Sequence, residues 1–140
     1  MTEQYSTFWV GDLFFGVEVV RVQEVLRGQE MTSVPLAPDV VSGLINLRGQ
    51  IVTALDMRKR MGLTPRVSAK PAMNLVVRSD EGAVSLLVDE IGDVVEVDAD
   101  WHEPVPETLP ADQKQLIAGV YKLEGRLLLV MDTERALQIQ

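Results

Sequence analysis

The chain of 140 residues contains no cysteine and a single histidine, His102. Without cysteine, a disulfide framework, a thiolate zinc site and a cysteine nucleophile are all excluded, and a reducing compartment is expected. Aromatic residues make up only 5% of the chain, so the 46% hydrophobic content must build its core mainly from Val, Leu and Ile. No apolar run reaches the about 18 residues of a membrane-spanning helix. The opening MTEQYSTFWVGD lacks the basic and apolar segments of a signal peptide. The expected location is therefore the cytoplasm, with no direct membrane insertion.

Several motifs are missing too. Neither GxGxxG, GxxxxGK[ST] nor GxSxG occurs, which removes the phosphate cradles and the nucleophile elbow. Asp89, Glu90, Asp93, Glu96, Asp98 and Asp100 match no calcium-loop spacing and read as a solvated acidic face. An enzyme would have to be built around His102, yet WHEPVPE has the proline content of an exposed loop. No metal, cofactor or catalytic residue is expected, and binding is the remaining class of activity.

Charge is unevenly spread. Residues 1–70 carry 8 basic and 7 acidic side chains, and residues 71–140 carry 5 and 14, for a net charge of -8. Such an acidic half repels phosphate backbones, so nucleic acid is not an expected partner. The same acids also serve solubility.

What is present reads mostly as strands. Tyr5 to Val10, the turn Gly11-Asp12 and Leu13 to Val19 form a hairpin. VVRVQEVLR reads as one helical turn leading into extended chain, and Pro35 and Pro38 mark a loop. Val40 to Leu47 and Gln50 to Leu55 form a second hairpin, after which Asp56 caps the turn MRKRMG and Gly62 closes it. TPRVSAKP, residues 64–71, reads as a linker. AMNLVVRS, AVSLLVDEI and GDVVEV then give further strands, and a proline-rich loop precedes LIAGVYKLEGRLLLVMDTERAL.

The two halves repeat. At an offset of 76, Gly43 falls on Gly119, Leu47 on Leu123, Gly49 on Gly125 and Asp56 on Asp132; at an offset of 69, Glu24 falls on Asp93. This predicts two related five-stranded units, about 5–68 and 69–140, packed through an apolar seam with a groove between them.

One interruption of the apolar pattern is a candidate binding site. Asn46-Leu47-Arg48-Gly49 puts a guanidinium at a hairpin tip, where its fork can hold a carboxylate, and Glu24 is a candidate internal partner. An ordinary turn with a solvated arginine explains the same spacing. Against that, the equivalent residue in the second hairpin is Glu124, so the turn itself does not need arginine. VPLAPDVVSGLINL offers an apolar edge for another small barrel, or else belongs to this protein's own core.

The pattern FWVGDLFFGVEVVRVQEV, the paired VQE and GLINLRGQIVTALDMR elements, and the later LLVDEIGDVVEV resemble the CheW family of chemotaxis coupling proteins over nearly the whole chain. The resemblance implies two SH3-like five-stranded β-barrels related by internal pseudo-symmetry, with short helices, and a scaffold without catalysis. It implies two partners, the coiled-coil tip of chemoreceptors and the regulatory domain of the histidine kinase CheA, at membrane-associated receptor arrays. Carried over by position, Val22, Glu24, Arg48 and Ile51 would face the receptor, and Asn46, Leu47 and Gly49 would shape that surface. Gly43, Leu44 and Ile45 would lie toward the kinase. The family also serves twitching, gliding and other kinase pathways, and a free peptide-binding barrel is a further alternative. Met1 directly before the fold is the expected start of a free-standing protein rather than a kinase domain.

Overall fold

A computed structural model describes residues 2–65, 70–80 and 82–138. Strands β1 (Thr2–Val10) and β2 (Leu13–Glu18) make the first hairpin, turning at Gly11 with φ 60°. A 3-10 turn, Val19–Arg21, leads into β3 (Val22–Leu26), as the sequence implied. Next, β4 (Val41–Leu47) and β5 (Gln50–Asp56) pair across Arg48 and Gly49. The Asp56 carboxylate accepts the Lys59 N–H at 3.1 Å and caps α1 (Met57–Arg60); Gly62, with φ 71°, follows it. The remainder comprises β6 (Met73–Ser79), β7 (Gly82–Val88), β8 (Glu90–Asp98), β9 (His102–Glu103), α2 (Ala111–Lys114), β10 (Ile117–Leu123), β11 (Arg126–Met131) and α3 (Thr133–Ala136). AVSLLVDEI is two strands rather than one, broken at Asp89. Part of the expected linker, residues 66–69, lies outside the described residues. No helix of the described residues is long and apolar enough to cross a membrane.

The strands form two sheets, in the orders β8-β1-β2-β11-β10-β9 and β3-β6-β7-β5-β4. Consecutive strands β8 and β9, separated only by a 3-10 turn, lie at opposite edges of the first sheet, so that sheet curls into a barrel. In the second, the chain after β3 reaches the far edge, where Thr32 bridges Leu44. The mostly β architecture of two related barrels is as expected, but the boundary is not. The sheets are not the two halves of the chain: β1 and β2 join the six-stranded sheet with β10 and β11, while β6 and β7 join the five-stranded one. A cut near residue 68 divides both. The deciding contacts are the parallel pairs β2 with β11 (Leu129 opposite Phe15) and β5 with β7 (Leu55 opposite Leu86) and the antiparallel pairs β1 with β8 and β3 with β6, and strand periodicity carries no information about them.

The repeat itself is detailed. The carboxylate of Asp132 accepts the Arg135 N–H at 3.1 Å, as Asp56 does for Lys59. The Asp132 N–H reaches the Leu116 carbonyl at 2.7 Å and the Asp56 N–H the Val40 carbonyl at 2.8 Å, each 76 residues apart. Both hairpins shift register at their glycine, Gly43 and Gly119. Strands β1 and β6, and β2 and β7, correspond at the offset of 69.

Burial is divided three ways. One cluster, with Ile45, Leu47, Val52 and Val76, fills the five-stranded sheet, and another, with Tyr5, Phe14, Val97 and Leu128, fills the six-stranded one. The largest cluster joins them, with Phe8, Phe15 and Leu129 meeting Leu55, Leu75 and Leu86. This is the apolar seam, and its burial is the main stabilising term between the sheets. A recess of about 280 Å³ lined by Asp56, Arg58, Leu87 and Asp89 opens beside the junction.

Candidate functional site

Two backbone requirements create the tip of the β4–β5 hairpin. Register pairs Leu47 with Gln50, which leaves a two-residue loop, and Arg48 and Gly49 both take positive φ, 52° and 89°. Such a loop matches the twist of the flanking strands, and it suits Gly or Asn better than Arg. Asn46 supports it by accepting the Gly49 N–H on its side-chain oxygen at 2.9 Å.

The strained arginine has a partner. Its guanidinium grips Glu24 with both ends of the fork, Nη1 to Oε1 at 3.3 Å and Nη2 to Oε2. Glu24 stands on β3 and Arg48 at the end of β4, opposite edges of the five-stranded sheet, so the pair spans the closure of that barrel. Exposure is unequal: the Arg48 side chain is 75% exposed and that of Glu24 is 18%. Glu24 therefore acts as a fixed anchor that aims the guanidinium, leaving the outer N–H groups to solvent or a partner.

Around this pair the face is mixed. Ile51, across from Asn46 in the ladder, is 60% exposed, and Val25 on β3 is 39% exposed. Of the remaining positions carried over from the resemblance, Val22 is half-buried and packs against the central cluster, and Leu47 is buried. Gly43 and Ile45 are buried as well, so Leu44, half-buried, is the one side chain of Gly43-Leu44-Ile45 that reaches the surface. VPLAPDVVSGLINL is accordingly split: Ile45 and Leu47 belong to the core, while Leu36 is fully exposed with φ 65°.

His102 lies exposed on β9 with its ring edge-on to Tyr121, centroids 5.6 Å apart. No group of three or more metal-ligating side chains forms among the described residues.

Sequence reasoning missed a second, more enclosed ion pair. Arg58 on α1 holds Asp89 through Nε at 3.0 and 3.1 Å and Nη2 at 2.7 Å, with side chains 21% and 13% exposed. The hydrogen bonds to Asp89 raise the Arg58 pKa above its ordinary value against the opposing effect of burial. The residues are 31 apart in sequence, and no local signal connects them.

The CheW-like domain family matches residues 4–140. The chemotaxis protein CheW of Helicobacter pylori is 28% identical over 135 residues, covering 96% of this chain and 81% of its own length. That of Bacillus subtilis is 29% identical over 135 residues, with 96% and 86% covered. Protein FrzA of Myxococcus xanthus is 36% identical over 55 residues, 39% of this chain and 34% of its own. The crystal structure of the scaffolding protein TtCheW from Thermoanaerobacter tengcongensis superposes with a TM-score of 0.89 at 24% identity, covering 100% of this chain and 95% of that one.

Proposed function

The chain belongs to the CheW-like domain family, and from that membership we propose that it is a non-enzymatic adaptor joining the cytoplasmic tip of chemoreceptors to the regulatory domain of the kinase CheA. The observation that carries the receptor side is the Glu24-anchored Arg48 beside exposed Ile51. In this reading, an amphipathic receptor helix lays apolar side chains on Ile51 and offers a carboxylate to the outer N–H groups of Arg48. The Arg48 half of the internal pair is solvent-exposed, which holds the pair to about 1 kcal/mol. It therefore orients Arg48 without competing strongly against a partner. Val22 supports β3 from beneath, and Asn46, Leu47 and Gly49 hold the tip in shape. The kinase contact is assigned to Leu44 and the strand positioned by Gly43 and Ile45. Coupling is then a difference in contact free energy between receptor signalling states, with recruitment to membrane-associated arrays following from receptor binding.

The test mixes the purified protein with a soluble receptor signalling fragment and the kinase regulatory domain, singly and together, and follows complexes by size-exclusion chromatography with light scattering. A ternary complex weakened by Arg48→Glu supports the assignment, and binding to neither partner rejects it. The similarity to FrzA favours a second reading, a coupling scaffold for another kinase pathway. Capture of only that pathway's receptor and kinase would select it.

A further inference from the structure

The apolar seam between the sheets is non-directional, so it holds them together without dictating one angle. Polar contacts that cross the junction add direction to it. Several such contacts are found among the described residues, Arg78 Nη1 to the Val20 carbonyl at 3.1 Å among them, and the arrangement of the ion pairs is informative. On one side, Arg58, immediately after β5 of the five-stranded sheet, grips Asp89 on the link between the sheets. The same Asp89 oxygen accepts the Gly11 N–H, in the β1–β2 turn of the six-stranded sheet, at 2.6 Å. The Asp89 N–H continues to the Trp9 carbonyl at 2.9 Å.

On the other side stands the repeat's counterpart with its charges exchanged. Adding 76 to Arg58 gives Glu134 on α3, and subtracting 69 from Asp89 gives Val20, next to Arg21 in the link between β2 and β3. Arg21 Nη1 meets Glu134 Oε1 at 3.2 Å, with side chains 38% and 43% exposed. Between the two, Arg60 donates to the carbonyls of Arg135 at 3.0 Å and Ala136 at 3.4 Å. Arg60 and Ala136 are themselves mates at offset 76, as residues meeting near an approximate twofold axis are.

We propose that Arg58, through Asp89 and Gly11, is the positioning residue that fixes the angle between the two barrels, and that the Arg21–Glu134 contact across the axis is a weak, dispensable copy. The geometry supplies the asymmetry. The Arg58 latch makes three contacts to a well-covered carboxylate that passes the constraint on to the backbone of the opposite sheet, and its fourth bond, Nη1 to the Thr64 carbonyl at 2.9 Å, fixes the guanidinium plane. The Arg21 latch has one contact in a solvated setting, where ion pairs contribute little. Replacing an enclosed pair by apolar groups often leaves stability intact while removing a directional constraint. The inference does not depend on which partners the protein binds.

The absence of cysteine permits a direct test. Spin labels at Gln50→Cys on β5 and Lys122→Cys on β10, both exposed, report the distance between sheets by double electron–electron resonance. The parent gives one narrow peak. Arg58→Met should make the distribution about twofold broader or displace it, as expected when two units lose their directional contacts. Arg21→Met should leave it unchanged. Asp89→Asn, which keeps an acceptor for Gly11 but removes the charge, should broaden it less, and provides the reading if Arg58→Met fails to fold. An unchanged distribution in the folded Arg58 variant, or in Asp89→Asn where it alone folds, overturns the proposal. So does equal broadening by Arg21→Met.

Discussion

Gly43 and Gly119 occupy the same place in the repeat, at the register shift of β4 and of β10, yet substitution should affect them very differently. A methyl group on Gly43 would stand 2.8 Å from the Thr32 carbonyl oxygen, 3.1 Å from the Met31 Cβ and 3.3 Å from the Thr32 carbonyl carbon. That wall is backbone, and it is held in place by the Thr32 N–H to the Leu44 carbonyl at 2.9 Å and the Leu44 N–H to the Thr32 carbonyl at 2.8 Å. The methyl must displace the segment that closes the barrel. Overpacking costs about 1–3 kcal/mol. Weakening two hydrogen bonds adds roughly 0.5–1.5 kcal/mol each. Reduced freedom of the unfolded chain returns about 0.4–1 kcal/mol. The net expectation for Gly43→Ala is a loss of about 3 kcal/mol, within a range of roughly 1–5 kcal/mol, or a Tm lower by roughly 10 °C for a chain of this size. At Gly119 the nearest atom is His102 Nε2 at 3.5 Å, an ordinary contact, so Gly119→Ala should change stability by no more than about 1 kcal/mol, in the favourable direction. Urea unfolding followed by the fluorescence of Trp9 and Trp101 measures both. Equal costs at the two glycines, or a Gly43→Ala variant within about 0.5 kcal/mol of the parent, would refute the packing argument. Reduced kinase binding at unchanged stability would instead place Gly43 at the partner surface itself.

Three further outcomes are expected. Arg48→Gly relieves a positive φ that costs a side chain about 1 kcal/mol or more and removes a Glu24 pair of about 1 kcal/mol or less, so it should leave Tm within a few degrees of the parent while weakening receptor binding; titration of the receptor fragment alongside a melting curve checks both, and a Tm lower by roughly 10 °C contradicts the strain argument. Ser85→Ala removes the hydroxyl that donates to Asn74 Oδ1 at 2.8 Å between two fully buried side chains, and should cost about 1–3 kcal/mol in chemical denaturation, whereas retention of parental stability would mean Asn74 finds another donor. Tyr5 has its pKa raised above the ordinary 10.0, chiefly by burial and then by its hydrogen bond to Glu3, so it stays protonated in the folded chain while the unfolded chain ionises. Its stabilising share is complete below pH 10.0 and is lost as pH rises beyond it, by up to about 1.4 kcal/mol per pH unit, and Tyr5→Phe should flatten that alkaline decline.

Strand identity, the Asp56 cap and the Arg48 tip were legible because each depends on neighbours within a few residues: alternation, an N-cap two or three positions from its amide, and a glycine beside a tight turn. The orientation of β4 was legible in principle and was blurred in practice. In VSGLINL the inward set is Gly43, Ile45 and Leu47, but apolar Leu44 sits on the outward face and hides the alternation. Sheet membership was not legible at all. The offsets of 69 and 76 revealed that units repeat, but a strand's period is the same whether its parallel partner lies near or far in sequence. Arg58 and Asp89 were invisible for the same reason, since each read alone as one more surface charge.

The interleaved sheet orders also govern how the chain can acquire its structure. Every strand of the five-stranded sheet lies between Val22 and Val88, so this sheet can be completed once that stretch has left the ribosome. The N-terminal hairpin must wait. Its neighbours β8 and β11 come later, and Phe15 meets Leu129 only after 114 further residues have been synthesised. Contacts of such separation are slow to form, and in the interval Phe8 and Phe15 have no sheet of their own to cover them. Synthesis and assembly therefore run in different orders: the first strands made are among the last to be locked, and the C-terminal β11 closes both the six-stranded sheet and the central core.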